Sequence, residues 1–273
     1  MPKPRLVQIS SWSYSRYSDY KKCPQLARFK HVDKLKEPDS AAYAKGNRVH
    51  ALAQVWVTGE VPPLDRDNKS YHAELVVLDC KGPIPRELET FAEEFAQLRK
   101  TSGKGEQSWG FDADWKVVRW DDWARCWLRV KTDFHYIQRE GTSNKKKSPH
   151  HGFIIDYKTG KEYPEHEEQR SLYALGMFLL YPDLASVTAA HWYLEPGIER
   201  HDTWLAADFP KLKEYWTKRT HGLLTDTTFA PNPTASNCQW CHFRRTPHCT
   251  VCGRANCVCP GGPQLKTGPC EHG

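Results

Sequence analysis

Apolar positions recur every three or four residues through the first hundred residues, and beyond residue 106 they turn to alternation. The first regime predicts helices and the second strands. Residues 10–30 read as a helix with Tyr14, Tyr17 and Tyr20 at helical spacing, capped by Ser11 or Ser13 and broken or restarted at Pro24. A second helix over 40–57 carries His50 and ends near Gly59. After a proline-rich connector, residues 86–100 form a third, amphipathic through Leu88, Phe91, Ala92, Phe95 and Leu98. Strands follow at Trp109–Trp115, 124–136 and 151–158, the last two joined by a long, hydrophilic, basic hairpin turn. Residues 165–181 return to helix, 187–194 to strand and 208–224 to helix, with no internal repeat.

With 273 residues the chain can bury a core as one generous domain or two small ones. A hydrophobic content of 39% with 26% charged residues describes a soluble globular protein. No apolar run approaches the roughly 18–20 residues of a membrane span, and Met1–Ser10 lacks the apolar core of a signal peptide. A cytoplasmic location is therefore expected, with no membrane partner. The net charge of +6 is compatible with a polyanionic partner without demanding one. The basic run at 144–147 reads first as a solvated charge cluster, and the eleven tryptophans first as packing residues.

Three of the ten cysteines are scattered (Cys23, Cys80, Cys126), and seven fall between Cys238 and Cys270. In a reducing compartment such a cluster points to metal rather than disulfides. Cys80 and Cys126 have no partner spacing and read as inert core residues. Composition shifts beyond residue 230, which sets a main domain over 1–235, a cysteine-rich metal-binding segment over 236–259 and a flexible tail over 260–273.

The candidate chemistry centres on residues 152–161, where an apolar run ends in Asp156-Tyr157-Lys158. Alternation puts Asp156 and Lys158 on one face and Tyr157 on the other. A carboxylate and an ammonium so placed can hold a divalent metal and activate a water beside it. Gln169 and Tyr173 follow four apart on a helix, hence on one face. Upstream, Asp133 ends a strand-like run. Each motif alone has a bland reading: a strand-end ion pair, a satisfied helix histidine, a core aromatic.

Taken together, His50, Asp133, Asp156-x-Lys158 and Gln169-x-x-x-Tyr173 resemble the RecB-like branch of the PD-(D/E)xK nuclease superfamily. Ser11-Trp-Ser-Tyr-Ser with Tyr20-Lys-Lys-Cys23-Pro24 resembles that family's N-terminal segment, and Gly46-Asn-Arg-Val-His50 its histidine helix. The resemblance implies an α+β (α/β) fold with a central mixed sheet flanked by helices, as in restriction endonucleases. It implies a DNA-cleaving enzyme in which Asp133, Asp156, Lys158, Gln169 and Tyr173 are catalytic. Mg²⁺ or Mn²⁺ would be held by His50, Asp133, Asp156 and the Tyr157 carbonyl. Glu106 is a further candidate partner of the site.

Several RecB-like nucleases, AddB and the CRISPR-adaptation nucleases among them, hold a [4Fe–4S] cluster with one N-terminal and three C-terminal cysteines. Cys23, Cys238, Cys241 and Cys249 match that layout, although the seven residues between Cys241 and Cys249 exceed the spacing of those relatives, so that Cys252 is an alternative. The pairs Cys238-x-x-Cys241 and Cys249-x-x-Cys252 suit Zn²⁺ equally. Cys257, Cys259 and Cys270 have no assigned role. The expected activity is that of a DNA exonuclease of recombination, repair or phage genome processing. An endonuclease of the same fold, or a non-catalytic nucleic-acid-binding module, are the alternatives.

Overall fold

The computed structural model describes residues 8–38, 40–139, 149–244 and 246–251. The basic run at 144–147 and Cys252, Cys257, Cys259 and Cys270 lie outside the described residues. The chain divides into two compact units, one formed by residues 39–216 and the other by the two ends, up to residue 38 and from 217 onward.

Residues 39–216 are built on a six-stranded sheet in the order β2-β1-β3-β4-β5-β6. Its strands are β1 (Lys104–Phe111), β2 (Val117–Val118), β3 (Leu128–Arg139), β4 (His150–Lys158), β5 (Leu184–Tyr193) and β6 (Ile198–Leu205). All neighbours pair antiparallel except β4 and β5, which run parallel. A parallel pair needs a crossover, and α6 (His166–Leu180) supplies it. The sheet is therefore mixed and flanked by helices, an α+β arrangement.

The core follows from the alternation along β4. Ile155 and Tyr157 point into an apolar cluster with Phe134, Ala190 and Trp192 from the sheet. Val49, Ala53 and Trp56 of α3 (Ala41–Thr58) join it, with Phe95 and Leu98 of α5 (Ala92–Leu98). Ring contacts tie it together, with Phe91 stacked on Trp192 at 5.1 Å and Phe95 edge-on to the same indole at 5.3 Å. On the other side, α6 approaches closely enough that a Cβ on Gly152 would stand 2.9 Å from Leu184 and 3.1 Å from Met177. Glycine is required there by proximity.

Several elements differ from the sequence pattern. The third helix is a 3₁₀ turn over Arg86–Phe91 followed by α5, and the proline-rich connector holds a short α4 (His72–Val76). β1 begins at Lys104 because its first half, too polar to stand out as a strand, is held by pairing with β3. Glu106 consequently lies inside β1, at φ 23°, and pairs with Lys131 at 3.1 Å rather than with the candidate carboxylates.

In the unit made from the chain ends, α1 (Tyr14–Lys22) is capped by Ser13, whose side chain accepts from the Arg16 amide. Pro24 starts α2 (Pro24–His31) in the first-turn position that proline tolerates. Asn237 in α8 (Ala235–Gln239) donates to the Lys22 carbonyl at 2.7 Å, and Phe29 meets Phe243 edge-on at 5.2 Å. α7 (Phe209–Thr225) straddles the division.

Candidate active site

β3 and β4 pair so that Phe134 opposes Ile155. Asp133 and Asp156, one step further, therefore stand opposite each other on adjacent strands, about 5 Å apart at the backbone. Asp133 Oδ2 accepts the Tyr157 amide hydrogen at 2.7 Å, and Asp133 Oδ1 lies 3.0 Å from Nδ1 of His50 on α3. The His50 ring meets the Tyr157 ring edge-on. Burial works against a charged His50, but the Asp133 and Asp156 carboxylates override it and raise its pKa.

Asp156 belongs to a closed ring of polar contacts. Lys158 Nζ donates to Gln169 Oε1 at 2.9 Å, and Gln169 Nε2 donates to the Tyr173 oxygen at 2.7 Å. The Tyr173 hydroxyl donates to Asp156 Oδ1, and Lys158 Nζ stands 2.6 Å from Asp156 Oδ2. Lys158 Nζ therefore serves two oxygens of the ring, one on Gln169 and one on Asp156. Burial by itself would raise the Asp156 pKa. The Lys158 ammonium reverses this and holds the carboxyl well below the usual range, with help from the Tyr173 hydroxyl. Tyr173 itself is buried beside that carboxylate and stays protonated.

The sequence-predicted residues His50, Asp133, Asp156, Tyr157, Lys158, Gln169 and Tyr173 are thus gathered in one place, all within residues 39–216. His191 and Arg170 join them without having been singled out. His191 is the parallel-register neighbour of Asp156, fully buried, with Nε2 3.7 Å from Asp156 Oδ2. Arg170 Nη1 can only donate, so its 3.4 Å approach to His191 Nδ1 makes that nitrogen the acceptor and leaves the ring proton on Nε2, facing Asp156. Burial holds the His191 pKa down to about 3, so the ring is neutral. Arg170 is anchored in turn by Asp202 at 2.6 Å. The one signal of this in the sequence is a histidine inside the mostly apolar β5.

Among the described residues, no three His, Cys, Asp or Glu side chains are gathered closely enough to hold a metal ion as they stand. The donor set nevertheless fits a hard divalent cation. Two carboxylates stand on adjacent strands, and Asp156 Oδ2 is buried with no directed hydrogen bond. The contacts of Lys158 and His50 with the carboxylates would have to open to admit the ion.

In the other unit, Cys23, Cys238, Cys241 and Cys249 are not joined in disulfides. Burial raises the Cys238 and Cys241 pKa values, and Cys249 and Cys23 lie near enough to add to the effect. Backbone amides of Phe243 and Arg244 bond to Cys241, and the Asn232 amide donates to Cys23 Sγ at 3.3 Å.

A mixed sheet with one carboxylate in the middle of β3, where the sequence pattern places a strand end, a second near the end of β4 and a lysine closing β4 has the form of a restriction-endonuclease-type nuclease. Residues 11–246 match the family profile described as the PD-(D/E)XK nuclease superfamily, and the chain belongs to that superfamily. No curated protein matches the chain. Among solved structures it is similar to a protein from Eubacterium rectale whose exonuclease assignment is provisional, at 11% identity and a TM-score of 0.42 over 91% of this chain and 89% of that one. It is also similar to the protein SSO0001, at 14% identity and a TM-score of 0.28 over 84% of this chain and 93% of that one. No helix among the described residues is long and apolar enough to cross a membrane.

Proposed function

We propose that the protein is a divalent-metal-dependent deoxyribonuclease acting from DNA ends, in recombination, repair or phage genome processing. The observation that carries this reading is the closed ring Lys158–Gln169–Tyr173–Asp156 standing beside the Asp133–His50 pair. Asp133, Asp156, His50 and the Tyr157 carbonyl would hold Mg²⁺ or Mn²⁺. The bound ion supplies Lewis acidity toward the scissile phosphate and a more acidic water.

The protein's own groups do the rest. Lys158, steadied by Gln169, orients the attacking water and offsets charge on the phosphate oxygens as it develops. Tyr173 locks the Asp156 carboxylate through Oδ1 and leaves Oδ2 for the ion.

We further propose that Cys23, Cys238, Cys241 and Cys249 hold a [4Fe–4S] cluster. Amide-to-sulfur bonds at Cys23 and Cys241 support thiolate ligation, because such bonds stabilise charge on sulfur. A cluster there makes the two chain ends one folding unit.

End-labelled linear DNA and a covalently closed circle, each incubated with Mg²⁺ or Mn²⁺, test the activity. Release of labelled nucleotides from the linear strand with the circle left intact is expected. Nicking of the circle at a similar rate would replace the exonuclease with an endonuclease, and inertness toward both substrates would remove the reading.

A further inference from the structure

Arg129 is the second residue of β3 and is 7% exposed, yet among the described residues it has no carboxylate partner and its buried Nε has no hydrogen-bond acceptor. Its neighbours are treated differently. Arg119 is neutralised by Asp121 at 2.7 Å, and Arg125 by Asp122 at 2.7 Å. The equally buried Arg170 has Asp202. Arg129 instead sits against two indole rings, 3.7 Å from the Trp123 centroid and 5.6 Å from that of Trp120. Cation–π contact offsets part of the desolvation but leaves the guanidinium donors free. The guanidinium is therefore a candidate partner for an anion that reaches its outer edge.

Trp123 completes the site. It is 73% exposed, and Arg129 covers one of its faces, so the other face is open to solvent. A flat ring backed by a cation, with an anion site beneath it, matches the two halves of a nucleotide. An unpaired base stacks on the indole and a backbone phosphate meets the guanidinium. Arg129 lies four residues before Asp133 on the same strand, about 13 Å away. One extended strand can reach both positions.

We propose that Trp123 and Arg129 form a subsite for a single-stranded nucleotide of the substrate. This rests on the nuclease reading above. A base within a duplex is already stacked on both faces, so the site favours single strands or frayed ends.

The test is binding of a fluorescently labelled single-stranded oligonucleotide, and of its duplex, to the full chain without added divalent ions. Trp123→Ala should weaken single-strand binding about 5- to 100-fold, the range of one base–aromatic stack. Duplex binding should fall less, and Trp123→Phe should recover most of the loss. Arg129→Met should flatten the dependence of log affinity on log salt by about 0.7, one phosphate contact on a single strand. It should leave the melting temperature unchanged or raised, because an unpaired buried charge has been removed.

Unchanged single-strand affinity in Trp123→Ala, or equal losses on both substrates, would overturn the proposal while leaving the nuclease intact. A lower melting temperature in Arg129→Met with an unchanged salt slope would make Arg129 a structural cation only. A wild-type protein that neither binds nor cleaves nucleic acid would instead overturn the nuclease reading itself.

Discussion

The two compact units hold their polar groups by opposite means. In residues 39–216, sheet register puts Asp156 opposite Asp133 and beside His191, and α6 delivers Gln169 and Tyr173 to the same point. Every link runs between regular elements packed on a large apolar core. In the unit made from the chain ends, the cysteines sit on helix ends and turns, held by Asn237 and Asn232 on the Lys22 carbonyl and Gln25 on Thr250. The difference separates two roles for metal. An ion at Asp156 would act on a scaffold already fixed by packing, whereas a metal at Cys23 would contribute to folding itself.

The largest expected effect follows from that contrast. Asp156→Ala and Lys158→Ala should each lower the cleavage rate by at least ~100-fold, by analogy with removal of one transition-state donor. Both variants should keep the wild-type fold by circular dichroism and unfold cooperatively, with Lys158→Ala the less stable because it leaves Asp156 buried without its counter-charge. End-label release and thermal unfolding of the purified variants check both halves. A rate near wild type in either variant would show that the ring around Asp156 is not the reaction centre.

Cys23→Ser should give the reverse pattern, with metal lost and stability lowered. Protein purified without oxygen is expected to be brown and to contain iron, and the Cys23→Ser variant to be colourless with a lower melting temperature. Stoichiometric zinc without iron in the wild type, indifferent to Cys23→Ser, would end the cluster proposal. It would move the metal to the two paired-cysteine elbows.

Tyr173→Phe is expected to be milder. It keeps the ring and its packing but removes the hydroxyl that orients Asp156, so the rate should fall about 10-fold, as for loss of one hydrogen bond to a charged group. The Mn²⁺ concentration needed for half-maximal rate should rise, because Asp156 is then freer to turn. A normal rate with normal Mn²⁺ dependence would make Tyr173 a packing residue.

Much of this was legible in the sequence where the cause is local. The Ser13 cap, the restart at Pro24 and the close of α3 at Gly59, with φ 73°, are each written in one or two residues. The separation of Asp156 and Lys158 from Tyr157 follows from strand alternation alone. What escaped depends on contacts made elsewhere. β6 is an edge strand whose Glu199, Arg200 and His201 are partly or largely exposed, so it carries no apolar alternation and is fixed only by pairing with β5. His191 meets Asp156 through a parallel register that depends on how α6 carries the chain across, a distance no local pattern encodes. Arg129 escaped for the same reason, since its isolation appears only once Arg119 and Arg125 have taken the nearby carboxylates.

The smallest expected effect belongs to the unit made from the chain ends and asks how far it stands without metal. Asp19 on α1 accepts from His31 at 2.8 Å and pairs with Lys30 at 3.1 Å, joining α1 to α2 around Cys23. Burial alone would raise the Asp19 pKa, but His31 and Lys30 override it and lower it. A carboxyl whose folded pKa lies below its unfolded value adds stability above the unfolded pKa, near 3.9. That stability is lost as pH falls through the folded value. Asp19→Asn should therefore cost about 1 kcal/mol at neutral pH, since Lys30 keeps Glu37 at 2.9 Å as a second partner. The gap from wild type should begin to narrow as pH falls past the unfolded pKa, near 3.9, and close only once pH is below the lowered folded value, where the wild-type carboxyl takes up its own proton. Denaturant unfolding of both proteins across that range measures it. A gap that persisted unchanged into acid would mean that shape, not charge, holds α1 to α2, and the unit would then rely less on metal than its short elements suggest.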